Sequence, residues 1–382
     1  MMQALVLGGA GDMGQAAARD LIKQAEVKKV IIGDVNTDPG RLHEKLRTNE
    51  KVSFERIDAY DHSGLVKAIK GADVVINCAG PFYKTAVAVA RAAIEAKVSY
   101  IDICDDYEAV KILYASEIDE AARKAGITIL TGMGSDPGTN NIIAKYFANQ
   151  LDRVDEIALY WVVSIADLGE GAAWDHSLHM VSGNVPQYLD GKLEWVPGGT
   201  GEERVTFLEP LGECLISYVG HPQPLTIPRY IPGVKSVVIK GALIPTWVDQ
   251  LIKEQNATGF LSTEPVEVRG TKVVPYDLTL RLWRAIPQNR DRGPVASGMK
   301  MTVKGERKGN KVTYTADVVG RTAAGTGLPV SIAALMLHAG EVAAKGVVAP
   351  EGCIDPKKYL AALLKRGAKI HQTETITSLI TL

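Results

Sequence analysis

The sequence predicts an α/β chain in three parts. A parallel sheet covered by helices on both faces spans 1–138. An inserted, mostly antiparallel α+β region spans 139–326, and helices return over 327–382. Three observations carry this reading. Up to Leu130, short continuous apolar runs alternate with amphipathic stretches, the pattern of doubly covered parallel strands joined by helices. Between 164 and 320, Gly and Pro breaks multiply, and Lys311 to Val319 alternates as a half-exposed strand does. From Pro329 the helical pattern returns in Ile332 to Ala344 and Pro356 to Lys365, each near a proline suited to a first helical turn.

In chain order, the apolar run Ala4 to Leu7 is the first strand and Gln15 to Gln24 the first helix. Val30 to Ile32 leads into Gly33-Asp34, and Val74 to Ile76 leads into Asn77-Cys78-Ala79-Gly80-Pro81-Phe82 and a helix over Thr85 to Ala96. Ser99 to Ile103 is a further strand, followed by a helical stretch Tyr107 to Ala125 and a strand Ile127 to Leu130. Asn140 to Gln150 reads as a helix and Glu156 to Val163 as a strand. Ser236 to Ile239, Val266 to Val268 and Lys300 to Val303 are the strand-like runs of the inserted region. There is no internal repeat.

The bulk numbers narrow the function classes. The 382 residues are 46% hydrophobic and 23% charged, ordinary for a globular protein with a substantial core. Lys plus Arg total 43 against 44 Asp plus Glu, so no basic bias points to nucleic acid. Cys78, Cys104, Cys214 and Cys353 are far apart without a C-x-x-C pair, which suits a reducing cytoplasm better than a disulfide framework or a structural zinc. No apolar stretch reaches the roughly 18 residues that a membrane helix needs. A cytoplasmic location is expected.

Gly9-Ala10-Gly11-Asp12-Met13-Gly14 lies directly after a strand and before a helix. In a dinucleotide-binding Rossmann unit, the first glycine permits the tight turn and the second lets the backbone approach a pyrophosphate. The third allows close helix–strand packing, and the helix N-terminus favours the phosphates. A plain βα turn would also use these glycines. Asp34 follows Gly14 by 20 residues, the spacing at which a carboxylate meets ribose hydroxyls and repels a 2′-phosphate. NAD is therefore expected over NADP, with Arg41 and Arg47 as the residues that could reverse the preference. Asp58 is a candidate adenine-side contact. Cys78, Ala79, Gly80 and Pro81, small residues at a strand end, are candidates for the nicotinamide side.

These residues resemble the saccharopine dehydrogenase-like family. The matches are Asn77 to Phe82 with Tyr100-Ile101-Asp102-Ile103, then Gly132-Met133-Gly134-Ser135-Asp136-Pro137-Gly138-Thr139-Asn140. Gly327-Leu328-Pro329-Val330-Ser331-Ile332-Ala333-Ala334 and Gly346 to Glu351 follow in family order. The layout is closest to lysine 6-dehydrogenases, with Trp174-Asp175-His176 at an aromatic-polar-His segment of those enzymes. The resemblance implies an amino-acid substrate, hydride exchange at a carbon bonded to nitrogen, an inserted domain that supports a homodimer, and C-terminal helices over 327–382 that pack back on the first part. Gly80-Pro81-Phe82 and Asp105-Asp106 depart from the lysine enzymes.

Hydride transfer at a C–N bond needs a proton acceptor beside the nicotinamide. Asp102 at a strand end, Lys84 after the Pro81 turn and His176 at its family position are the catalytic candidates. Asp102 could equally order a loop, and Lys84 could equally face solvent. Tyr83, Asp136, Gly138 and Asn140 are substrate-binding candidates, the last three around a helix start that could hold a carboxylate. Asp136 and Asn140 would otherwise be helix caps. His176 and His179, with Asp175, share a helical face, but no His-Glu-x-x-His signature accompanies them and no metal is expected. Arg204, Tyr218, His221 and Arg229 are further polar residues among which the sequence does not choose. Two other readings stay open: an NAD-binding sensor or scaffold without catalysis, and a carbonyl or alcohol oxidoreductase using Tyr107-x-x-x-Lys111.

Overall fold

The computed structural model describes residues 1–169, 171–286 and 289–378. They form two compact units, Met1–Asn149 with Ala323–Lys369, and Gln150–Thr322 with the strand beyond Lys369.

The first unit is built on β1 (Met2–Leu7), β2 (Val27–Asp34), β3 (Val52–Arg56), β4 (Val74–Asn77), β5 (Ser99–Asp102) and β6 (Thr128–Leu130). All pair in parallel, and the strand Gly346–Val348 joins β6 at one edge, so the order is Gly346–Val348, β6, β5, β4, β1, β2, β3. β4 is buried along its whole length, as a strand covered on both faces must be, which is why its sequence is a continuous apolar run. The helices are α1 (Asp12–Leu21), α2 (Glu44–Arg47), α3 (His62–Ile69), α4 (Phe82–Ala96), α5 (Tyr107–Leu113), α6 (Ser116–Ala125) and α7 (Thr139–Ala148). The connection from β1 goes to one side of the sheet and that from β4 to the other. This order reversal leaves a crevice at the carboxyl ends of β1 and β4, the place where such sheets bind ligands.

The buried face of α1 is made of Gly14, Ala16, Ala17, Ala18 and Leu21. These small residues admit the C-terminal helix Thr322–His338 at close range. A Cβ on Gly327 would lie 2.6 Å from the Ala16 Cβ and 2.7 Å from the Met13 carbonyl oxygen. Asp20, buried in the same helix, accepts hydrogen bonds from the Ser331 hydroxyl (2.7 Å) and the Arg366 guanidinium (2.9 Å). This paired charge ties the C-terminal helices to α1.

The second unit is a nine-stranded mixed sheet. β7 (Arg153–Ser164) is central, and β8 (Asn184–Leu189), β9 (Lys192–Pro197), β10 (Glu203–Thr206), β11 (Glu213–Tyr218) and β12 (Ser236–Ile244) lie to one side. After the separate small hairpin of β13 (Val266–Val268) and β14 (Thr271–Val273), β15 (Ser297–Arg307), β16 (Asn310–Gly320) and the strand His371–Thr377 make the other side. β7 and β12 run parallel; the remaining pairs of this sheet are antiparallel among the described residues. Its helices are α8 (Ala172–His179), α9 (Gln223–Tyr230), α10 (Thr246–Ala257) and α11 (Pro275–Arg284).

The boundaries differ from the expected 138/139 and 326/327 breaks. α7 belongs to the first unit because its N-terminal turn is fastened to the C-terminal segment: Asn141 donates to Glu351 (2.9 Å) and the Thr139 hydroxyl contacts that of Tyr359 (2.6 Å). The chain also does not end in helices. His371–Thr377 is an exposed edge strand paired with β16 in the second unit. The single expected helix over 107–125 is two helices, broken between Leu113 and Ser116. No helix among the described residues is long and apolar enough to cross a membrane.

Candidate cofactor and active site

The glycines of the first turn have distinct tasks. Gly8 has φ +66, and a Cβ there would lie 2.6 Å from the Ala79 nitrogen, so this glycine lets the β1 and β4 ends close on each other. A Cβ on Gly9 would meet the Val6 carbonyl at 2.7 Å, and one on Gly14 would meet the Gly8 carbonyl at 2.4 Å. These two serve packing. Gly11 is different: it is exposed, at φ −76, with only the Gly8 carbonyl at 3.3 Å from a Cβ position. Immediately after it, the first-turn amides of Asp12, Met13 and Gly14 have no acceptor among the described residues. An open glycine followed by undonated amides at a helix N-terminus fits a pyrophosphate.

Asp34 fastens this turn. Its Oδ2 accepts the Ala10 amide at 3.1 Å and its Oδ1 the Asn36 amide at 3.0 Å, leaving a half-buried carboxylate at the β2 end. Gln15 pins the following loop, donating to the Ala10 and Arg41 carbonyls (2.9 and 3.1 Å) and accepting the His43 amide at 2.7 Å. Asp58 accepts the amide of Tyr60 at 2.9 Å and so shapes its own turn.

On the β4 side, the buried Asn77 donates to the Tyr100 hydroxyl (3.2 Å) and accepts the Ala79 amide (3.0 Å). The Tyr100 hydroxyl donates to Asp102 at 2.7 Å. Asp102, fully buried, also accepts the Cys104 amide (3.0 Å), the Gly132 amide (2.7 Å) and the Thr131 hydroxyl (3.0 and 3.2 Å). Burial pushes its carboxyl up to about 6, and these hydrogen bonds hold it from rising further. Burial, with Asp102 nearby, likewise pushes the Cys78 thiol up to about 12, which disfavours thiolate chemistry. The Asn77–Tyr100–Asp102 chain thus fixes the ends of β4, β5 and β6 against one another and sets the position of Cys78, Ala79, Gly80 and Pro81.

The other candidates fall into three groups. Tyr83 opens α4, its amide held by Asp106 at 2.9 Å. Lys84 is exposed, its ammonium 5.0 Å from the Tyr83 ring, without the enclosure that an acid/base lysine needs. Around β6, Gly138 is a folding residue at φ +129, with a Cβ position only 2.0 Å from the Gly134 carbonyl. Its amide is capped by Asn141 (3.2 Å), so Asp136 and Asn140 are not the caps of α7. Asn140 is 1% exposed, and neither polar atom of its side chain has a hydrogen-bond partner. In the second unit, His176 lies on α8 with its ring 5.5 Å from that of His221, while Asp175 accepts the Tyr276 hydroxyl (2.7 Å). Sequence reasoning missed Gly8, Gln15, Asn77, Tyr100 and Thr131. Gly8 was legible as one more glycine before the motif; the others are ordinary polar residues whose role depends on tertiary partners.

Residues 4–130 match the saccharopine dehydrogenase NADP binding domain, and residues 134–368 the saccharopine dehydrogenase C-terminal domain. The chain belongs to the saccharopine dehydrogenase family. The first of these domains is described by its NADP binding, so the cofactor class is a nicotinamide dinucleotide. Over 357 residues the chain is 26% identical to carboxynorspermidine synthase of Vibrio cholerae, covering 84% of this chain and 82% of that protein. The Vibrio alginolyticus protein of the same name is 25% identical over 363 residues, with 86% and 84% covered. Among solved structures, apo saccharopine dehydrogenase (L-Glu forming) of Saccharomyces cerevisiae shares the fold at a TM-score of 0.71 and 17% identity, covering 99% of this chain and 100% of that one. The saccharopine dehydrogenase fold therefore extends over both units.

Proposed function

We propose that this chain is an NAD-dependent oxidoreductase that transfers hydride at a C–N bond of an amino acid or a carboxylated amine. The observation that carries the cofactor half is the open Gly11 beside the undonated amides of Asp12, Met13 and Gly14. The carboxylate of Asp34 at the β2 end supports NAD, since it would accept ribose hydroxyls and repel a 2′-phosphate. The long match to proteins named carboxynorspermidine synthase supports a substrate carrying both carboxylate and amine.

A bound dinucleotide supplies the hydride acceptor or donor. The chain's own residues bind and orient around it: the α1 amides hold the pyrophosphate, and Asp34 the adenosine ribose. The loop Cys78–Pro81, kept in place by Asn77 and Tyr100, borders the nicotinamide side. Asn140 offers a substrate contact, and His176 a proton carrier in the second unit. The alternative use of Tyr107 and Lys111 is disfavoured, because burial and the neighbouring Glu108 push the Tyr107 hydroxyl upward, opposite to the direction in which a tyrosine becomes an acid/base at neutral pH.

The test is absorbance at 340 nm with NADH or NADPH and paired panels of amines with keto acids or aldehydes, and of amino acids with the oxidised cofactors. Turnover with a carboxylate-bearing pair, faster with NADH, is expected. Asp34→Ala should narrow the preference between the cofactors. Turnover confined to alcohols and ketones without nitrogen would contradict the reading.

A further inference from the structure

Away from the glycine turn, the second unit holds buried polar groups that its own residues leave unsatisfied. Ser217, Gly241 and Trp161 occupy one cross-strand row, Ser217 opposite Gly241 on β11 and β12, and Gly241 opposite Trp161 on β12 and β7. Their side-chain positions therefore rise from the same face of the sheet. A Cβ on Gly241 would lie 2.2 Å from the Trp161 Cε2, so the indole lies across the glycine. Cross-strand spacing places the Ser217 Cβ about 5 Å from that position. His221, 3% exposed, stacks on the indole with ring centroids 5.6 Å apart, and His176 is tilted against His221. α9 begins two residues after His221 and carries Thr226 on its buried face.

Trp161 Nε1, Ser217 Oγ and Thr226 Oγ1 are all buried and have no hydrogen-bond partner among the described residues. Buried polar groups are satisfied in native proteins far more often than not, so two orphans in one cross-strand row and a third on α9, which packs on β12, call for a ligand or ordered water. An indole N–H only donates, and both hydroxyls can donate with it. What satisfies each of them is an oxygen acceptor.

We propose that Trp161, Ser217 and Thr226, beside the ring of His221, form a subsite in the second unit that binds a carboxylate of the substrate. The proposal rests on reading the chain as an oxidoreductase for a carboxylate-bearing amine, and its test is independent of cofactor binding. The full chain is titrated calorimetrically with glutarate and, as an uncharged counterpart of equal length, pentane-1,5-diol, with and without NADH. Glutarate is expected to bind and the diol not. Ser217→Ala and Thr226→Val, each removing one hydroxyl at nearly constant shape, should each weaken glutarate about tenfold or more, while NADH affinity stays at the wild-type value. Glutarate binding at wild-type strength in both variants would overturn the proposal and leave ordered water as the occupant. Equal binding of glutarate and diol, or none of either, would overturn it as well. Trp161→Phe adds the indole donor to the series, and should it fail to fold, the two hydroxyl variants decide. Failure of NADH alone would count against the proposed function and not against the subsite.

Discussion

At the scale of single residues, the glycine turn separates packing from binding. Gly9→Ala and Gly14→Ala would drive a methyl into backbone at 2.7 and 2.4 Å, and each should cost about 2 kcal/mol or more of stability in urea unfolding. Gly11→Ala meets only a carbonyl at 3.3 Å at a φ any residue adopts. It should keep the melting temperature and weaken NADH binding, because the methyl stands where the phosphates approach. Asp102 gives a pH prediction. Its folded value of about 6 lies above the ordinary 3.8, so the folded state holds the proton more tightly than the unfolded chain. The stability this gives is complete below about pH 4 and is lost as pH rises through 6, about 3 kcal/mol in all. Denaturation at pH 4.5, 5.5 and 7 should show this decline in the wild type and a flatter profile in Asp102→Asn. The sequence places Asp102 at a strand end as a candidate base; what it does not display is the set of donors from β5 and β6 that occupies both oxygens.

Among the elements, those that read clearly are those whose burial is periodic. Ala4–Leu7 of β1, Val30–Ile32 of β2 and Val74–Ile76 of β4 are continuous apolar runs because both faces are covered there. The strand His371–Thr377 is exposed throughout, so no apolar pattern marks it, and only the alternating Thr373, Thr375 and Thr377 hint at extension. α7 reads as a helix but not as part of the first unit, since the Asn141–Glu351 and Thr139–Tyr359 contacts span 210 and 220 residues. The packing of Thr322–His338 on α1 is testable through two glycines of one helix. Gly327→Ala would press on Ala16 and the Met13 carbonyl. It should cost about 1–3 kcal/mol and weaken NADH binding through the first turn of α1. Gly325→Ala meets only Ser135 at an ordinary 3.6 Å and should leave stability unchanged or raise it slightly through helix propensity. Equal losses in both variants would contradict the close approach at Gly327.

For the whole molecule, alternating strands and helices, the glycine turn and the ordered family-like segments were enough to read the fold class and a dinucleotide-binding first unit. The partition of the chain was less legible, because it is set by contacts between distant segments and not by composition. The second-unit polar cluster is also invisible in the sequence: Trp161, Ser217 and Thr226 become a group only through the register of β7, β12 and β11 and the packing of α9. The central claim is that the turn at Gly11 holds a nicotinamide dinucleotide for hydride transfer. Its most direct measurement is fluorescence titration of the full chain with NADH and NADPH, repeated with Gly11→Ala. Saturable binding, tighter for NADH and weakened in the variant at unchanged melting temperature, is the predicted result. Binding of neither nucleotide, or equal binding by wild type and variant, would contradict the account.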